Sequence, residues 1–170
     1  MKVIPLTHGL EAIVDDDAPS CVFEAKWYAK KSGYDGYFYA VSKSFGRQGV
    51  RLHRLIVGAP EGMCVDHING DTLDNRRCNL RVCTNTENLR NRKLSCRSKT
   101  GFKGVSILHR LTKDVYAARI TTNGKKIQIG VFATPEEAAR AYDKAASDHF
   151  GRFARPNFPT GQRALTRDAA

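Results

Sequence analysis

The chain has 170 residues, of which 41% are hydrophobic and 26% are charged, and its formal net charge is +11. That length accommodates one or two compact domains with small cores, and no apolar run is long enough to predict a membrane span or a secretory signal. The charge favours a polyanionic partner, because Lys and Arg release counterions when they contact phosphates. We therefore expect a soluble, intracellular protein without a membrane partner.

The number of cysteines is odd and no Cys-x-x-Cys pair occurs among Cys21, Cys64, Cys78, Cys83 and Cys96. A four-cysteine zinc site would need the last four to converge from separate segments, so we do not expect one. Free, partly buried thiols in a reducing compartment are the prediction.

Residues 1–50 are predicted to be a β-rich scaffold. Residues 3–6 and 12–14 flank a turn at His8-Gly9 and predict a hairpin, with Pro5 restricting the first strand to an edge. The aromatic run at 37–41 either packs in a core, which is the commoner use of such a run, or stacks on bases. Residues 52–57 fit either a strand or one and a half helical turns. His53 within them either points into a site or is packed against a backbone partner, and the sequence favours the second.

The most informative stretch is residues 65–71, Val-Asp-His-Ile-Asn-Gly-Asp. Residues 65–67 predict a short strand, Asn-Gly-Asp predicts a turn, and residues 80–83 alternate as a second strand. Thr84 and Glu87 form the pattern of a capping box, which predicts a helix from there to about residue 93. The predicted unit is strand, loop, strand, helix.

This unit contains the groups that hydrolysis of a phosphodiester requires. His67 is a suitable general base, because its ordinary pKa lies near neutrality. Neighbouring side chains leave a strand on opposite faces, so Asp66 can face the helix while His67 faces the substrate. Asp66 and the amide of Asn88 make a hard oxygen donor set for one Mg²⁺ or Mn²⁺ ion, with zinc unlikely. Asn79, before the second strand, can hydrogen-bond the imidazole and fix its tautomer.

A second domain is predicted after a basic linker at residues 94–100. Residues 102–105, 115–120 and 126–132 read as three strands, and Asn123-Gly124 marks a hairpin turn between the last two. Thr134, Pro135 and Glu137 predict the start of a helix. One face of this helix is expected to carry Ala138, Ala141, Tyr142, Ala145 and His149, and Gly151 is expected to end it.

Basic residues are segregated in this part of the chain. Between residues 90 and 130 there are eleven Lys or Arg and one acid, Asp114. With the helix on one sheet face, the opposite face is expected to present Lys103, Arg119, Thr121 and Lys126 to a DNA groove, although a merely solvated basic face is the alternative. The predicted DNA-binding residues of the whole chain are Arg76, Arg90, Arg92, Lys103, Arg110, Arg119, Thr121, Lys125 and Lys126.

Several motifs of the first part resemble the HNH endonucleases of the phage and intron-encoded homing type. They lie at residues 26–28, 52–55, 65–71, 74–76 and 79–81 and at Asn88. The resemblance implies a ββα-metal fold in which His67 is the general base, Asn79 orients it, and Asp66 and Asn88 hold one divalent ion. Asn88 stands where the name of the motif has a second His. Homing-type members often carry Asn there, so the departure bears on zinc preference and not on activity.

The second part resembles the AP2 DNA-binding domain at residues 104–105, 116–120, 129–134 and 136–143, with further agreement at residues 150–158. The resemblance implies that the sheet enters the major groove of DNA. Ser106 and Tyr116 depart from the pattern, in which Arg and Trp are usual, so the base preference cannot be carried over.

Together these features predict an α+β protein with an HNH domain at residues 1–93, whose ββα-metal core spans about 50–93, a linker at 94–100, an AP2-like domain at 101–158 and a flexible tail at 159–170. The predicted function is site-directed, metal-dependent cleavage of double-stranded DNA, as by a phage homing endonuclease in the host-cell cytoplasm. A monomer is favoured. The alternative is a non-catalytic DNA-binding regulator that retains the HNH fold.

Overall fold

The structure is a computed structural model that describes residues 1–33, 36–94 and 98–159. The chain is mixed α/β with several small antiparallel sheets, and it divides into a unit that ends at Asn88 and a unit that begins at Leu89. Cys96, residues 95–97 of the predicted linker and the predicted tail from Thr160 onwards lie outside the described residues. Within the described ranges, no helix combines the length and apolar character needed to cross a lipid bilayer.

The first unit opens with the predicted hairpin, in which β1 (Lys2–Pro5) pairs with β2 (Glu11–Val14) in antiparallel register. A short helix, α1 (Ser20–Glu24), follows. The buried indole of Trp27 donates to the carbonyl of Val22 at 2.7 Å and so ties the end of this helix to the core. Trp27 is the only tryptophan of the chain, so its fluorescence reports on this unit.

A three-stranded antiparallel sheet comes next, and it forms one side of the site that is described below. Its central strand, β4 (Phe38–Ser42), lies between β3 (Tyr28–Lys31) and β5 (Val50–Arg51). The ambiguous segment after β5 is a helix, α2 (Leu52–Val57), which ends at Gly58 with a φ of 57°. One core joins the hairpin, this sheet, α2 and the later strand that contains Leu80; its buried members are Ile4, Ala12, Val14, Ala18, Val22, Trp27, Ala40, Leu52, Ile56 and Leu80.

The predicted strand, loop, strand and helix are present. β6 (Cys64–His67) and β7 (Leu80–Cys83) pair so that Asp66 is opposite Arg81 and His67 is opposite Leu80. Helix α3 (Asn85–Arg90) follows and ends three residues before the predicted position. The capping box is confirmed: the Glu87 amide donates to Thr84 Oγ1 at 3.3 Å, and the Thr84 amide donates to Glu87 Oε2 at 2.8 Å.

The second unit is an antiparallel sheet covered by one helix. The strand order is β10 (Lys125–Phe132), β9 (Val115–Thr122), β8 (Val105–Leu108), and α4 (Pro135–Phe150) packs on the sheet. The helix starts as predicted, with both hydrogen bonds of a capping box between Thr134 and Glu137. Its buried contacts to the sheet come from alanines, Tyr142 and Phe150.

Two expectations for the second unit are wrong. The first strand begins at Val105 and not at residue 102, because Gly104 has a φ of 77°, which no strand accommodates. His149 is exposed and does not line the packed face, whose last buried member is Phe150. The spacing of the apolar and aromatic residues correctly predicts a buried stripe on this helix, but His149 lies just outside it.

Gly104 is expected to be indispensable for the second unit. A Cβ at this position would overlap the ring of Tyr142 and would also meet the strain of a positive φ. Gly104→Ala should therefore lower the free energy of unfolding by about 1–3 kcal/mol more than the φ penalty alone. Gly101→Ala is the matched control, because Gly101 has a φ of 73° and no atom within 4 Å of the added Cβ. Hydrogen exchange of the β9 amides checks the difference; equal protection in the two variants would contradict it.

Candidate active site and nucleic-acid interface

Asp66 lies in a buried ion pair at the end of β6. Its Oδ2 accepts from Nη2 of Arg81 at 2.5 Å and from Nε at 2.8 Å, and the two side chains are only 7% and 9% exposed. The antiparallel register sets these residues directly opposite one another, which makes the short bonds possible. The guanidinium therefore compensates a carboxylate that would be costly to bury alone.

The ring of His67 is held by Asn75, a residue that the sequence did not single out. His67 Nε2 lies 3.4 Å from Oδ1 of Asn75, and Asn75 Nδ2 donates to the carbonyl of Leu73 at 2.9 Å. The second bond fixes the amide so that its oxygen faces the ring, which requires the Nε2–H tautomer of a neutral His67. In that tautomer the basic lone pair is on Nδ1.

Asn79 does not hold the imidazole, contrary to the prediction for it. Its Oδ1 accepts from the backbone N–H of Asn69 at 2.9 Å, and its Nδ2 donates to the carbonyl of Asp74 at 2.8 Å. Asn79 is buried and closes the loop that contains Asn75. Its contribution to the orientation of His67 is therefore indirect.

Arg76 is likewise engaged within this loop. Its Nε and Nη2 donate to the two carboxylate oxygens of Asp74 at 2.8 and 2.7 Å, and Asn69 Nδ2 donates to Asp74 at 3.0 Å. Burial opposes ionisation of Asp74, but the paired guanidinium prevails and lowers the pKa of Asp74 below its ordinary value. The paired Arg76 and Asp74 side chains thus stabilise the loop.

Two rings, those of His53 and Tyr39, lie against the imidazole of His67. His53 meets it edge-on, with centroids 5.0 Å apart and planes at 89°, and Tyr39 lies 5.6 Å from His53 and 6.4 Å from His67. Burial lowers the pKa of His67, an effect that the contact with Asn75 opposes. Burial, reinforced by the positive charge of its neighbours, lowers the pKa of His53 to about 2. Both histidines are therefore neutral in the folded protein near pH 7.

Acidification is expected to destabilise the first unit through His53. In the unfolded chain His53 takes up a proton near pH 6.5. In the folded protein, burial and the charges of His67, Arg51 and Arg54 lower the pKa of His53 to about 2, so the ring stays neutral above that pH. The stability that neutral His53 contributes is complete above pH 6.5 and falls below it by about 1.4 kcal/mol per pH unit. Urea unfolding followed by Trp27 fluorescence between about pH 7 and pH 5 should therefore show a smaller slope for His53→Gln. His149→Gln, at an exposed site, should keep the slope of the natural protein; an unchanged slope in His53→Gln would contradict the expectation.

The proposed metal ligands fit a hard divalent ion in their chemistry. Asp66 offers a carboxylate and Asn88 an amide oxygen, which suit Mg²⁺ or Mn²⁺. Asn88 is half-buried on α3, and no described residue hydrogen-bonds its side chain. Within the described ranges, no three His, Cys, Asp or Glu side chains come together as a metal cluster.

The described cysteines Cys21, Cys64, Cys78 and Cys83 are free thiols, and burial raises the pKa of Cys83 to about 11.

The uncovered face of the β8–β10 sheet carries polar and basic side chains. Arg119 Nη1 donates to Ser106 Oγ at 3.1 Å, which shows that these two lie on one face. Arg119 is opposite Gln128, and Thr121 is opposite Lys126. The side chains of Thr121, Lys126 and Gln128 are exposed, and those of Arg119 and Ser106 are half-buried. Arg110, just after β8, and Lys125, the first residue of β10, are also exposed. The face therefore presents donors and acceptors at the spacing of neighbouring strands.

Lys103 departs from the predicted arrangement. Its Nζ donates to the carbonyls of Arg90 and Arg92 at 2.6 and 3.0 Å, so its ammonium is engaged with backbone and not with the sheet face. The guanidinium of Arg90 lies 4.6 Å from the ring centre of Phe150, and Arg92 is exposed. Within the second unit, these bonds fix the segment that begins at Leu89.

Comparison with known proteins agrees with this site. A sequence profile described as HNH endonuclease matches residues 50–90. An uncharacterized HNH endonuclease of Acanthamoeba polyphaga mimivirus is 34% identical over 155 residues, which cover 88% of this chain and 75% of that protein. The chain belongs to the HNH endonuclease family. A shorter similarity joins 39 residues, 23% of the chain, to 16% of the dehydration-responsive element-binding protein 2E of Arabidopsis thaliana, at 51% identity.

The HNH profile covers every side chain of the site except one. Residues 50–90 include Asp66, His67, Asn75 and Arg81, whereas Tyr39 comes from the sheet before the match. Sequence reasoning on this HNH endonuclease missed Asn75, Arg81 and Tyr39. Asn75 and Arg81 belong to motifs that were recognised, but no local signal states which partner each side chain takes.

Proposed function

We propose that the chain is a metal-dependent DNA endonuclease of the homing type, probing DNA through its second unit and hydrolysing one phosphodiester at a time in the first. The observation that carries the proposal is the buried His67, fixed through Nε2 by Asn75 and adjacent to the charged Asp66. A merely structural hairpin has no need of a buried imidazole that is held in one tautomer.

His67 acts as the general base in this proposal. With Nε2–H directed to Asn75 Oδ1, the lone pair of Nδ1 accepts the proton of the attacking water. The low pKa that burial gives His67 keeps the ring neutral and able to accept that proton at neutral pH. His53 restricts the ring through an edge contact and Tyr39 through a tilted one, so that rotation away from the substrate costs packing.

Asp66 and Asn88 are the residues that would hold one Mg²⁺ or Mn²⁺ ion. A bound ion supplies charge stabilisation for the pentacoordinate phosphate and the leaving oxygen. Arg81 shares the Asp66 carboxylate, so its guanidinium would remain beside the ion or withdraw toward a phosphate. Either position leaves a positive charge near the scissile bond.

The second unit supplies affinity and register as an AP2-like module. Support comes from its basic, uncovered sheet face, with Arg119, Thr121 and Lys126 side by side, and from the 39-residue similarity to a protein named as element-binding. Arg110 and Lys125 extend the same basic surface. Double-stranded DNA is the proposed partner, and the protein acts as a monomer that cuts one strand per event.

Mapping cleaved ends on a pool of randomised duplex DNA, with Mg²⁺ or Mn²⁺ and with EDTA, tests the proposal. The expected result is ion-dependent ends within a defined sequence context, and the positions on the two strands give the strand count. No ends above background in any of these ions, with DNA binding intact, would overturn the nuclease assignment.

A non-catalytic DNA-binding regulator is the second candidate, and one observation favours it. The Asp66 carboxylate is already neutralised by Arg81, so the site is electrostatically complete in the absence of an ion. The same experiment separates the two, because the regulator binds the pool selectively and leaves every strand whole.

A further inference from the structure

A second basic surface lies in the first unit, on the face of the β3–β5 sheet that adjoins His67. Lys30 is opposite Tyr39 in the β3–β4 pair. Tyr39 lies two residues from Val41, which is opposite Arg51. Residues in register, and residues two apart on one strand, point to the same side of a sheet. Lys30, Tyr39 and Arg51 therefore share one face, which we name the strand-face triad.

The triad's face is itself covered in part, since Val41 on it is 3% exposed, and the opposite face packs on the main core. Ala29 and Ala40 are buried there, with Ala40 in the main core. Lys31, the neighbour of Lys30, is opposite Phe38, whose ring contacts His8. Lys30 and Lys31 are both exposed, yet the alternation of the strand sends them to different sides. This pair supplies an internal comparison of two exposed lysines of equal charge.

The guanidinium of Arg51 is oriented by the Tyr39 ring and is exposed to solvent. Its guanidinium carbon is 4.9 Å from the centre of the Tyr39 ring, a stacking that orients the planar group and leaves its N–H donors at the edge. The side chain is exposed, and no described residue accepts a hydrogen bond or forms an ion pair with Arg51 or Lys30. Two cations without acceptors on one face constitute an incomplete electrostatic environment that a polyanion would complete.

The position of the triad relates it to the site. Tyr39 contacts Arg51 on one side and lies 6.4 Å from the His67 ring centre, so the guanidinium is within about 11 Å of His67. One strand of duplex DNA advances about 3.4 Å along the helix axis per phosphate, so that distance spans at most about three nucleotides. Across residues 26–63 the sequence has seven Lys or Arg and only two acids, Asp35 and Glu61. Charge and distance both suit a DNA backbone that leaves the site across this sheet.

We propose that the strand-face triad binds the phosphate backbone of duplex DNA within about three nucleotides of the scissile bond, with Arg51 and Lys30 each contacting a phosphate. This proposal rests on the proposed function, since it places the contact relative to a cleaved bond. It assigns a substrate-positioning role to a part of the chain that otherwise serves as scaffold. The contact is to phosphates, so it adds affinity and alignment without selecting a sequence.

The test compares full-length Arg51→Gln, Lys30→Gln and the control Lys31→Gln. Affinity for one duplex of defined sequence that the natural protein binds is measured by fluorescence anisotropy in EDTA over a series of salt concentrations. The first two variants should bind several-fold more weakly, and the slope of log affinity against log salt should be shallower by about one unit for each. Lys31→Gln should match the natural protein. Arg51→Lys should restore the salt slope, because the charge is retained. Hydroxyl-radical footprints should lose protection within about three nucleotides of the cut in Arg51→Gln.

The outcomes separate this proposal from the nuclease assignment. The triad proposal would be overturned if Arg51→Gln and Lys30→Gln had the same salt slope and affinity as Lys31→Gln, even if the natural protein cuts DNA. If the natural protein never cuts DNA but the two variants show shallower salt slopes, the nuclease assignment is overturned and the triad remains a DNA-binding face. Unchanged Trp27 fluorescence in each variant excludes misfolding as the cause of weaker binding.

Discussion

Replacement of His67 by Ala is expected to reduce DNA hydrolysis by about 10²–10⁴-fold while DNA binding persists. The reason is that, with Nε2–H directed to Asn75, the basic lone pair of the imidazole is on Nδ1, and the alanine side chain has no group that accepts a proton. Single-turnover cleavage of a defined duplex in Mg²⁺ measures the loss, and binding in EDTA gives the affinity. The change should fall on the rate of the chemical step and leave the dissociation constant within a few-fold.

His67 is 5% exposed, so the alanine variant also leaves a cavity. His67→Asn retains a polar side chain there and should lose cleavage to a similar degree, which separates chemistry from packing. His149→Ala, at an exposed histidine of α4, should cut like the natural protein. Cleavage within threefold of the natural rate in both His67 variants would refute the assignment of the base.

Local signals in the sequence were sufficient to find most of the elements. Both capping boxes, at Thr84 and Thr134, formed as predicted, because a cap is an interaction among residues three apart and needs no distant partner. The hairpin turn at Asn123 also formed, with a φ of 49° that an Asn tolerates. Gly104 was misread because its positive φ accompanies the close approach of Tyr142, which no short window contains.

The side-chain partners of the site depend on contacts that are distant in sequence. The loop between β6 and β7 is held by β2: Ile13 donates to the carbonyl of Leu73 at 2.9 Å, and Asn75 donates to the carbonyl of Ile13 at 2.8 Å. This contact across about sixty residues delivers Asn75, and not Asn79, to the imidazole. A motif supplies candidate asparagines, but the anchoring strand decides which of them reaches the ring.

Arg81→Met is expected to lower the free energy of unfolding of the first unit by about 3–5 kcal/mol. The substitution keeps much of the side-chain volume but leaves the Asp66 carboxylate buried without its guanidinium. Urea unfolding followed by Trp27 fluorescence measures the loss. Arg77→Met is the matched control, because the ion pairs of Arg77 with Asp15 and Asp17 are exposed and should contribute about 0–1 kcal/mol. Equal midpoints for the two variants would contradict the prediction.

The same variant distinguishes a metal ligand from a purely structural carboxylate. If Asp66 binds a divalent ion, Mg²⁺ or Mn²⁺ can replace the missing positive charge, so the ion should raise the unfolding midpoint of Arg81→Met more than that of the natural protein. The double variant Asp66→Asn/Arg81→Met carries neither charge, so it should be more stable than Arg81→Met and should not respond to the ion. A response of the double variant equal to that of Arg81→Met would place the ion elsewhere. Because unfolding and not cleavage is measured, the result bears on Asp66 whether or not the protein cuts the DNA that is tested.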